Sequence, residues 1–241
     1  MPELSEAVRI LEQVSLFHGL DRTALGAVAK AARSVEVRHP AFFFRQGTKA
    51  DTIYVVLRGR VKLTQATPEG QHVLLRFISP GELFGPTATL QDRLYPVSAQ
   101  AIRWCRALAW GGHTITRLIE ESPRIAINVI EDLSAHIEEL RRRYLELATE
   151  RVERRVALAL LRLAEQAGWS TEQGVLIDMP LSRQDLAQMT GTTLYTVSRL
   201  LRGWQRQGLV SAGRQRVEIV QPERLLSTPP DSPRLGTAKS R

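Results

Sequence analysis

The sequence predicts an α+β chain in three parts: an N-terminal β jelly-roll domain, a long dimerisation helix, and a C-terminal winged helix-turn-helix. Three observations carry this. Gly47, Gly59, Gly70 and Gly81 punctuate short β-rich runs every 11 or 12 residues, and short strands at regular spacing indicate a sandwich or barrel. Residues 124–151 hold neither Gly nor Pro, and their apolar positions Ile130, Leu133, Ile137, Leu140, Tyr144 and Leu147 step by 3, 4, 3, 4, 3. That is a heptad seam, which needs a second helix against it. Residues 181–205 then read as helix, four-residue turn with a glycine, helix.

Taken in order, residues 5–14 and 21–32 predict two short helices, the second capped by Asp21. The apolar turn between them, residues 16–20, is expected to pack on the β domain. Strands are expected at 35–37, 42–44, 53–57, 61–64, 73–77 and 97–101. A small barrel of this kind encloses a pocket, and its sheet can lie against the long helix. Ser122-Pro123 opens that helix, because the N–H groups of a first turn have no intrahelical partner for proline to remove. A helix over 152–166 follows, stopped by Gly168, and then a short strand over 174–179. Ser182 and Asp185 form a capping-box pattern, residues 190–193 a tight turn, 194–205 the second helix of the unit, and 208–220 a hairpin, the wing. Residues 227–241 are Pro/Ser-rich and expected to be disordered. The expected domains are 1–121, 122–150, 151–226 and the tail 227–241.

The 241 residues carry a net charge of +8. Of this, +6 falls in residues 151–241, where 14 Lys/Arg face 8 Asp/Glu. Such a balance points to a polyanionic partner, most often nucleic acid. The lone Cys105, beside Trp104, Ala107 and Leu108, reads as a buried thiol and excludes an intrachain disulfide or a four-cysteine iron–sulfur or zinc site. No signal-peptide run or membrane-spanning stretch is present, so a cytoplasmic location and no membrane partner are expected. The sequence has no GxxxxGK[ST], HExxH or CxxC motif, and an enzyme is not expected.

On the helix after Gly191, Val197, Leu200, Leu201 and Trp204 recur at core spacing. The opposite face presents Tyr195, Ser198, Arg199, Arg202 and Arg206. A major groove admits one helix, and the fork of Arg199 suits guanine O6 and N7. Thr192, Thr193 and Ser198 can donate to phosphates or bases. Arg183 opens the preceding helix, where main-chain N–H groups also favour phosphate. Arg214 and Arg216 on the wing would hold the DNA backbone.

These residues resemble the family of bacterial transcription regulators that contains the catabolite activator protein and the fumarate and nitrate reduction regulator (Crp/Fnr). The resemblance covers nearly all of residues 15–225. It is carried by the glycine-punctuated barrel, PGELFG at 80–85, the long helix, LSRQDLA at 181–187 and GTTLYTVSRLL at 191–201. It implies a cyclic-nucleotide-binding-like sensor domain and a homodimer on a pseudo-palindromic operator in double-stranded DNA, recruiting or blocking RNA polymerase. Where many members carry a base-reading Glu, this chain has Tyr195, which implies a different base at that operator position; Arg199 matches the family's base-reading arginine. The resemblance places an effector pocket at Phe84, Gly85, Pro86, Thr87, Tyr95, Val97, His136, Leu140 and Arg141. Gly85-Pro86-Thr87 replaces a Gly-Glu-Leu, Tyr95-Pro96 replaces the phosphate-clamping Arg-Ser with Arg93 displaced from it, and Leu140-Arg141 replaces a purine-contacting Thr-Ser. Proline removes main-chain donors and no arginine meets the phosphate, so cyclic AMP is not expected and the effector is unknown. Haem or diatomic-gas sensing through one of His18, His39, His72, His113 or His136 stays open, as does regulation without any effector.

Overall fold

The computed structural model describes residues 2–85, 93–213 and 215–227. It divides into two compact units, residues 1–144 and 145–241, with the division inside the long helix.

In the first unit, α1 (Pro2–Leu11) and α2 (Arg22–Ala31) flank a 3₁₀ turn at Ser15–Phe17. Asp21 caps α2 as its position predicts, accepting from the Ala24 N–H at 2.8 Å. The first helix ends at Leu11 rather than at 14. Val14 instead leads into the 3₁₀ turn, which buries Leu16 and Phe17. Eight strands follow among the described residues: β1 (Arg33–Arg38), β2 (Phe42–Phe44), β3 (Thr52–Arg58), β4 (Val61–Ala66), β5 (His72–Ile78), β6 (Leu83–Phe84), β7 (Ser98–Ala101) and β8 (Trp104–Gly111). They form two antiparallel sheets, ordered β1-β8-β3-β6 and β2-β7-β4-β5.

Strand alternation decides which core each side chain enters. Along β3, Ile53, Val55 and Leu57 face the helices, packing with Leu16, Phe17, Leu25, Val28 and Trp110. Tyr54 and Val56 face the space between the sheets, with Val61, Ile78, Phe84, Ala99 and Cys105. The glycines at 47, 59, 70 and 81 all have φ between 79° and 84°. At Gly59 a Cβ would sit 2.4 Å from the Trp104 carbonyl oxygen, so no other residue fits that turn.

Three elements of this unit lie outside the expected set, the short β6 among them. Strand β8 pairs with both β1 and β3, yet its inward residues are Cys105, Ala107 and Ala109, types with a weak strand signal. The helix α3 (Gly112–Glu121) follows it directly. Between the sheets the barrel's own rings pack on one another: Phe44 stacks on Tyr95 at 3.7 Å, Tyr54 on Phe84 at 5.0 Å, and Phe43 meets both Tyr54 and Phe84 edge-on.

The long helix α4 (Arg124–Thr149) runs for 26 residues. Its first turns dock through buried Ile125 and through Asn128, whose amide donates to the Leu16 and His18 carbonyls at 2.9 Å each. Beyond them the six seam residues face solvent, 50–71% exposed.

The second unit holds α5 (Val152–Ala167), β9 (Gly168–Ser170), β10 (Val175–Ile177), α6 (Arg183–Thr190), α7 (Leu194–Arg206), β11 (Val210–Gly213), β12 (Arg216–Ile219) and α8 (Pro222–Ser227). The wing hairpin is half of a four-stranded sheet, β11-β12-β10-β9. Strand β9 and helix α8 are additions to the expected elements. Ser227, the first residue of the expected disordered tail, ends α8, and residues 228–241 lie outside the described ones.

Candidate nucleic-acid interface

The helix-turn-helix is built from local rules that the sequence states openly. Ser182 accepts from the Asp185 N–H and the Asp185 carboxylate accepts from the Ser182 N–H, both at 3.0 Å, closing the capping box. Gly191 ends α6 in the left-handed region, φ 60° and ψ 44°. Thr193 then caps α7, accepting from the Thr196 N–H at 3.1 Å. Its hydroxyl, expected at the DNA, is therefore engaged within the helix start.

Helix α7 is held from one side. Val197, Leu201 and Trp204 are buried, against a core that includes Val156, Leu160 and Leu163 of α5, Leu186 and Ala187 of α6, and Val217 and Ile219 of the wing. Leu200, expected in that core, is half-buried. The opposite stripe carries Tyr195, 77% exposed, with Arg199, Arg202 and Arg206 also exposed and Ser198 half-buried. Among the described residues no carboxylate pairs with Arg199 or Arg202. Two uncommitted guanidiniums one turn apart on a projecting helix form an electrostatic face suited to a polyanion. Arg183 and Thr192 are half-buried at the two ends of α6, and Arg216 is exposed at the start of β12. Arg214 lies outside the described residues.

The arginines of α5 behave differently, and sequence reading does not single them out. Arg162 binds both oxygens of Glu146 at 2.7 Å, and Arg154 pairs with Glu150 at 3.2 Å. Arg155 donates to three main-chain carbonyls: Thr190 at 3.1 Å, Glu150 at 3.1 Å and Gly191 at 3.4 Å. The signal available beforehand is a first turn of helix crowded with cations, at the end where the helix dipole disfavours them. A cleft of about 210 Å³ lies between α5 and α7, lined among others by Arg151, Glu153, Arg199 and Trp204.

The described residues among those expected around an effector stand in several settings. Phe84 and Tyr95 are buried between the sheets with Val97 packed against them. The Tyr95 hydroxyl donates to the Thr52 carbonyl at 2.6 Å and accepts from the Thr52 N–H at 3.1 Å, and burial pushes its pKa up to about 12. A Cβ at Gly85 would lie 3.0 Å from the Thr52 carbonyl oxygen and 3.2 Å from the Phe44 ring. Leu140 is exposed on the seam, and Arg141 pairs with Glu138 at 2.6 Å. Pro86 and Thr87 lie outside the described residues.

His136 does meet the barrel. Its Nδ1 bonds the Asp132 carbonyl at 2.9 Å and lies 3.3 Å from the carboxylate, while its Nε2 contacts Arg76 of β5, which pairs with Glu82 at 2.8 Å. The bond to Asp132 raises the His136 pKa and the bond from His136 lowers that of Asp132. The histidines at 18, 39, 72 and 113 are exposed, and no cluster of three or more metal-ligating side chains occurs among the described residues. Cys105 is buried, and desolvation pushes its thiol up to about 12.

Comparison with known proteins follows the same division. A family model described as Cyclic nucleotide-binding domain matches residues 35–122, and one described as Crp-like helix-turn-helix domain matches residues 154–228. The chain is 31% identical over 206 residues to the Cyclic AMP receptor protein of Thermus thermophilus, covering 85% of this chain and 91% of that one. It is 25% identical over 216 residues to the CRP-like cAMP-activated global transcriptional regulator of Mycobacterium tuberculosis, covering 90% and 96%. Among solved structures, the c-di-GMP responsive global regulator CLP of Xanthomonas campestris shares the fold with a TM-score of 0.72 at 22% identity, over 83% of this chain and 99% of that one.

Proposed function

Since the chain belongs to the Crp/Fnr family of DNA-binding transcription regulators, we propose that it acts as a homodimer whose two α7 helices read the halves of a pseudo-palindromic operator. The observation that carries the dimer is the α4 seam. It places Ile130, Ile137 and Tyr144 at one heptad position and Leu133, Leu140 and Leu147 at the other, all solvent-facing in the single chain. β-Branched isoleucine at the first position in two of its three turns, with leucine at the second, favours a parallel two-stranded coil. A parallel pair places both heads at the same end, as a two-fold operator requires.

Within each head, Arg199 reads guanine, Tyr195, Ser198 and Arg202 contact bases or backbone beside it, and Arg183, Thr192, Arg214 and Arg216 hold phosphates. Recruitment or obstruction of RNA polymerase then follows from where the operator lies. Arg199→Ala is expected to weaken a specific duplex by about 1–3 kcal/mol and to relax one base position. The check is a titration against a duplex selected by the wild-type protein and a random one. An equal fall on both would remove Arg199 from base reading.

For the sensor domain, the aromatic packing favours regulation without cyclic AMP, although relatives are named for it. Phe44, Tyr54, Phe84 and Tyr95 form a buried ring cluster between the sheets. A ligand that bound the native state at 100 times its Kd would raise stability by about 2.7 kcal/mol. Thermal unfolding in millimolar cyclic AMP is therefore expected to match that without it, and a clear upward shift would overturn this reading.

A further inference from the structure

We infer that Arg155 is a positioning residue for DNA recognition: within the second unit it locks the turn before α7 onto the helix end at residues 145–150, which sets the placement of the recognition helix in that unit. This rests on the DNA-reading role given to α7 above.

The three acceptors of Arg155 belong to two separate segments. Glu150 follows the last residue of α4, whereas Thr190 ends α6 and Gly191 is its C-cap. Carbonyls at helix C-termini lack intrahelical partners and sit at the negative end of the dipole. One guanidinium therefore satisfies the ends of two helices at once. All three acceptors among the described residues are main-chain oxygens, so the contact fixes backbone geometry rather than balancing a side-chain charge. A planar fork spreads its N–H groups over three nitrogens and so reaches acceptors on separate segments, whereas the three donors of a lysine ammonium leave from a single atom.

A second contact runs in parallel. The Leu147 Cδ1, near the end of α4, lies 3.3 Å from where a Cβ on Gly191 would stand. Gly191 is thus gripped from two sides, and two residues later Thr193 opens α7. Nearby, the two-oxygen Arg162–Glu146 pair ties α5 to the same end of α4. The turn that aims Tyr195, Arg199 and Arg202 is held to residues 145–150 by the main-chain bonds of Arg155, beside the Leu147 side chain.

The test uses the full chain, Arg155→Lys and Arg155→Met, a duplex enriched by the wild-type protein from a randomised pool, and a random duplex. Arg155→Lys is expected to weaken the enriched duplex by about tenfold or more, with random-duplex affinity unchanged and unfolding still cooperative. Renewed selection with Arg155→Lys is expected to give a preference loosened at every base of the half-site together, whereas Arg199→Ala, run alongside, loosens one. Wild-type affinity and preference in Arg155→Lys would overturn the inference, as would a parallel loss on both duplexes, the mark of a lost phosphate contact. If Arg155→Met fails to unfold cooperatively, Arg155→Lys alone decides. If the wild-type protein enriches no sequence, the reading of α7 and this inference fall together; if it enriches one and Arg155→Lys matches it, this inference falls alone.

Discussion

Replacing Ile137 by Glu tests the pairing of α4 most directly. Ile137 is 66% exposed in the single chain, so its side chain is largely available for burial against a second copy. Fully burying an isoleucine stabilises by about 1.5–3 kcal/mol, and two thirds of that is roughly 1–2 kcal/mol per chain. Both copies change at once, giving about 2–4 kcal/mol for the layer, or roughly a 30- to 1000-fold weaker dimer. Two carboxylates facing each other across the seam add to this loss. Because Ile137 packs on nothing inside its own subunit's core clusters, the monomer should keep its fold, and near-ultraviolet circular dichroism checks that. Sedimentation equilibrium from nanomolar to micromolar protein reads the dimer constant directly. Ala135→Glu, at an exposed position of α4 outside the seam, serves as the control and should leave it unchanged. Affinity for a selected duplex should fall with the dimer and return at high protein concentration. An Ile137→Glu protein that sediments as wild type would refute the pairing, as would one that is monomeric yet binds the duplex with full affinity.

Other changes have outcomes set by single contacts. Tyr95→Phe keeps the ring on Phe44 but strips the hydroxyl from the Thr52 N–H and carbonyl, and should cost about 1–3 kcal/mol in urea unfolding of the barrel. Gly191→Ala places a Cβ at φ 60° and 3.3 Å from Leu147 Cδ1; a loss of about 1–2 kcal/mol is expected from the left-handed backbone alone, measured by thermal unfolding. The Asp132–His136 pair sets a pH window. Asp132, lowered from 3.8, contributes stability that is present above that value and lost as pH falls through its folded pKa. His136, raised from 6.5 by Asp132 against the opposing charge of Arg76, contributes stability that is present below 6.5 and lost as pH rises through its folded pKa. The stability gap between wild type and Asp132→Asn should therefore be widest between those two values and should shrink on the alkaline side; an equal gap at pH 5 and pH 9 would count against the pair.

What the sequence reveals and conceals follows from the range over which each contact acts. Asp21, Ser182 with Asp185, and Gly191 act within a few residues of themselves, and each is found doing what its position predicts, whereas Thr193, expected at the DNA, caps α7. The glycine rhythm of the barrel is equally local, since each positive φ is a demand made at one residue. Strand β8 escapes because its evidence is tertiary: Ala107 and Ala109 are small because two sheets close over them, and alanine carries no strand preference of its own. The ring cluster of the barrel escapes for the same reason. The sequence shows Phe44, Tyr54, Phe84 and Tyr95 as scattered aromatics, and only the sheet pairing brings Tyr95 onto Phe44.

Charge shows the same limit. A basic surplus in residues 151–241 points correctly to the half of the chain that carries the helix-turn-helix, yet the count cannot say which arginines face outward. Arg154, Arg155 and Arg162 are held by Glu150, by main-chain carbonyls and by Glu146. Arg199 and Arg202, drawn from the same total, have no carboxylate partner among the described residues. The difference is written in what stands nearby. Glu150, just past the end of α4, lies four residues before Arg154 and pairs with it, whereas the neighbours of Arg199 on its own face are Tyr195, Arg202 and Arg206, none of them a carboxylate. Arg199 and Arg202, with no carboxylate partner among the described residues, are the groups on α7 that the proposed operator would satisfy, and this local pattern says more than the net charge.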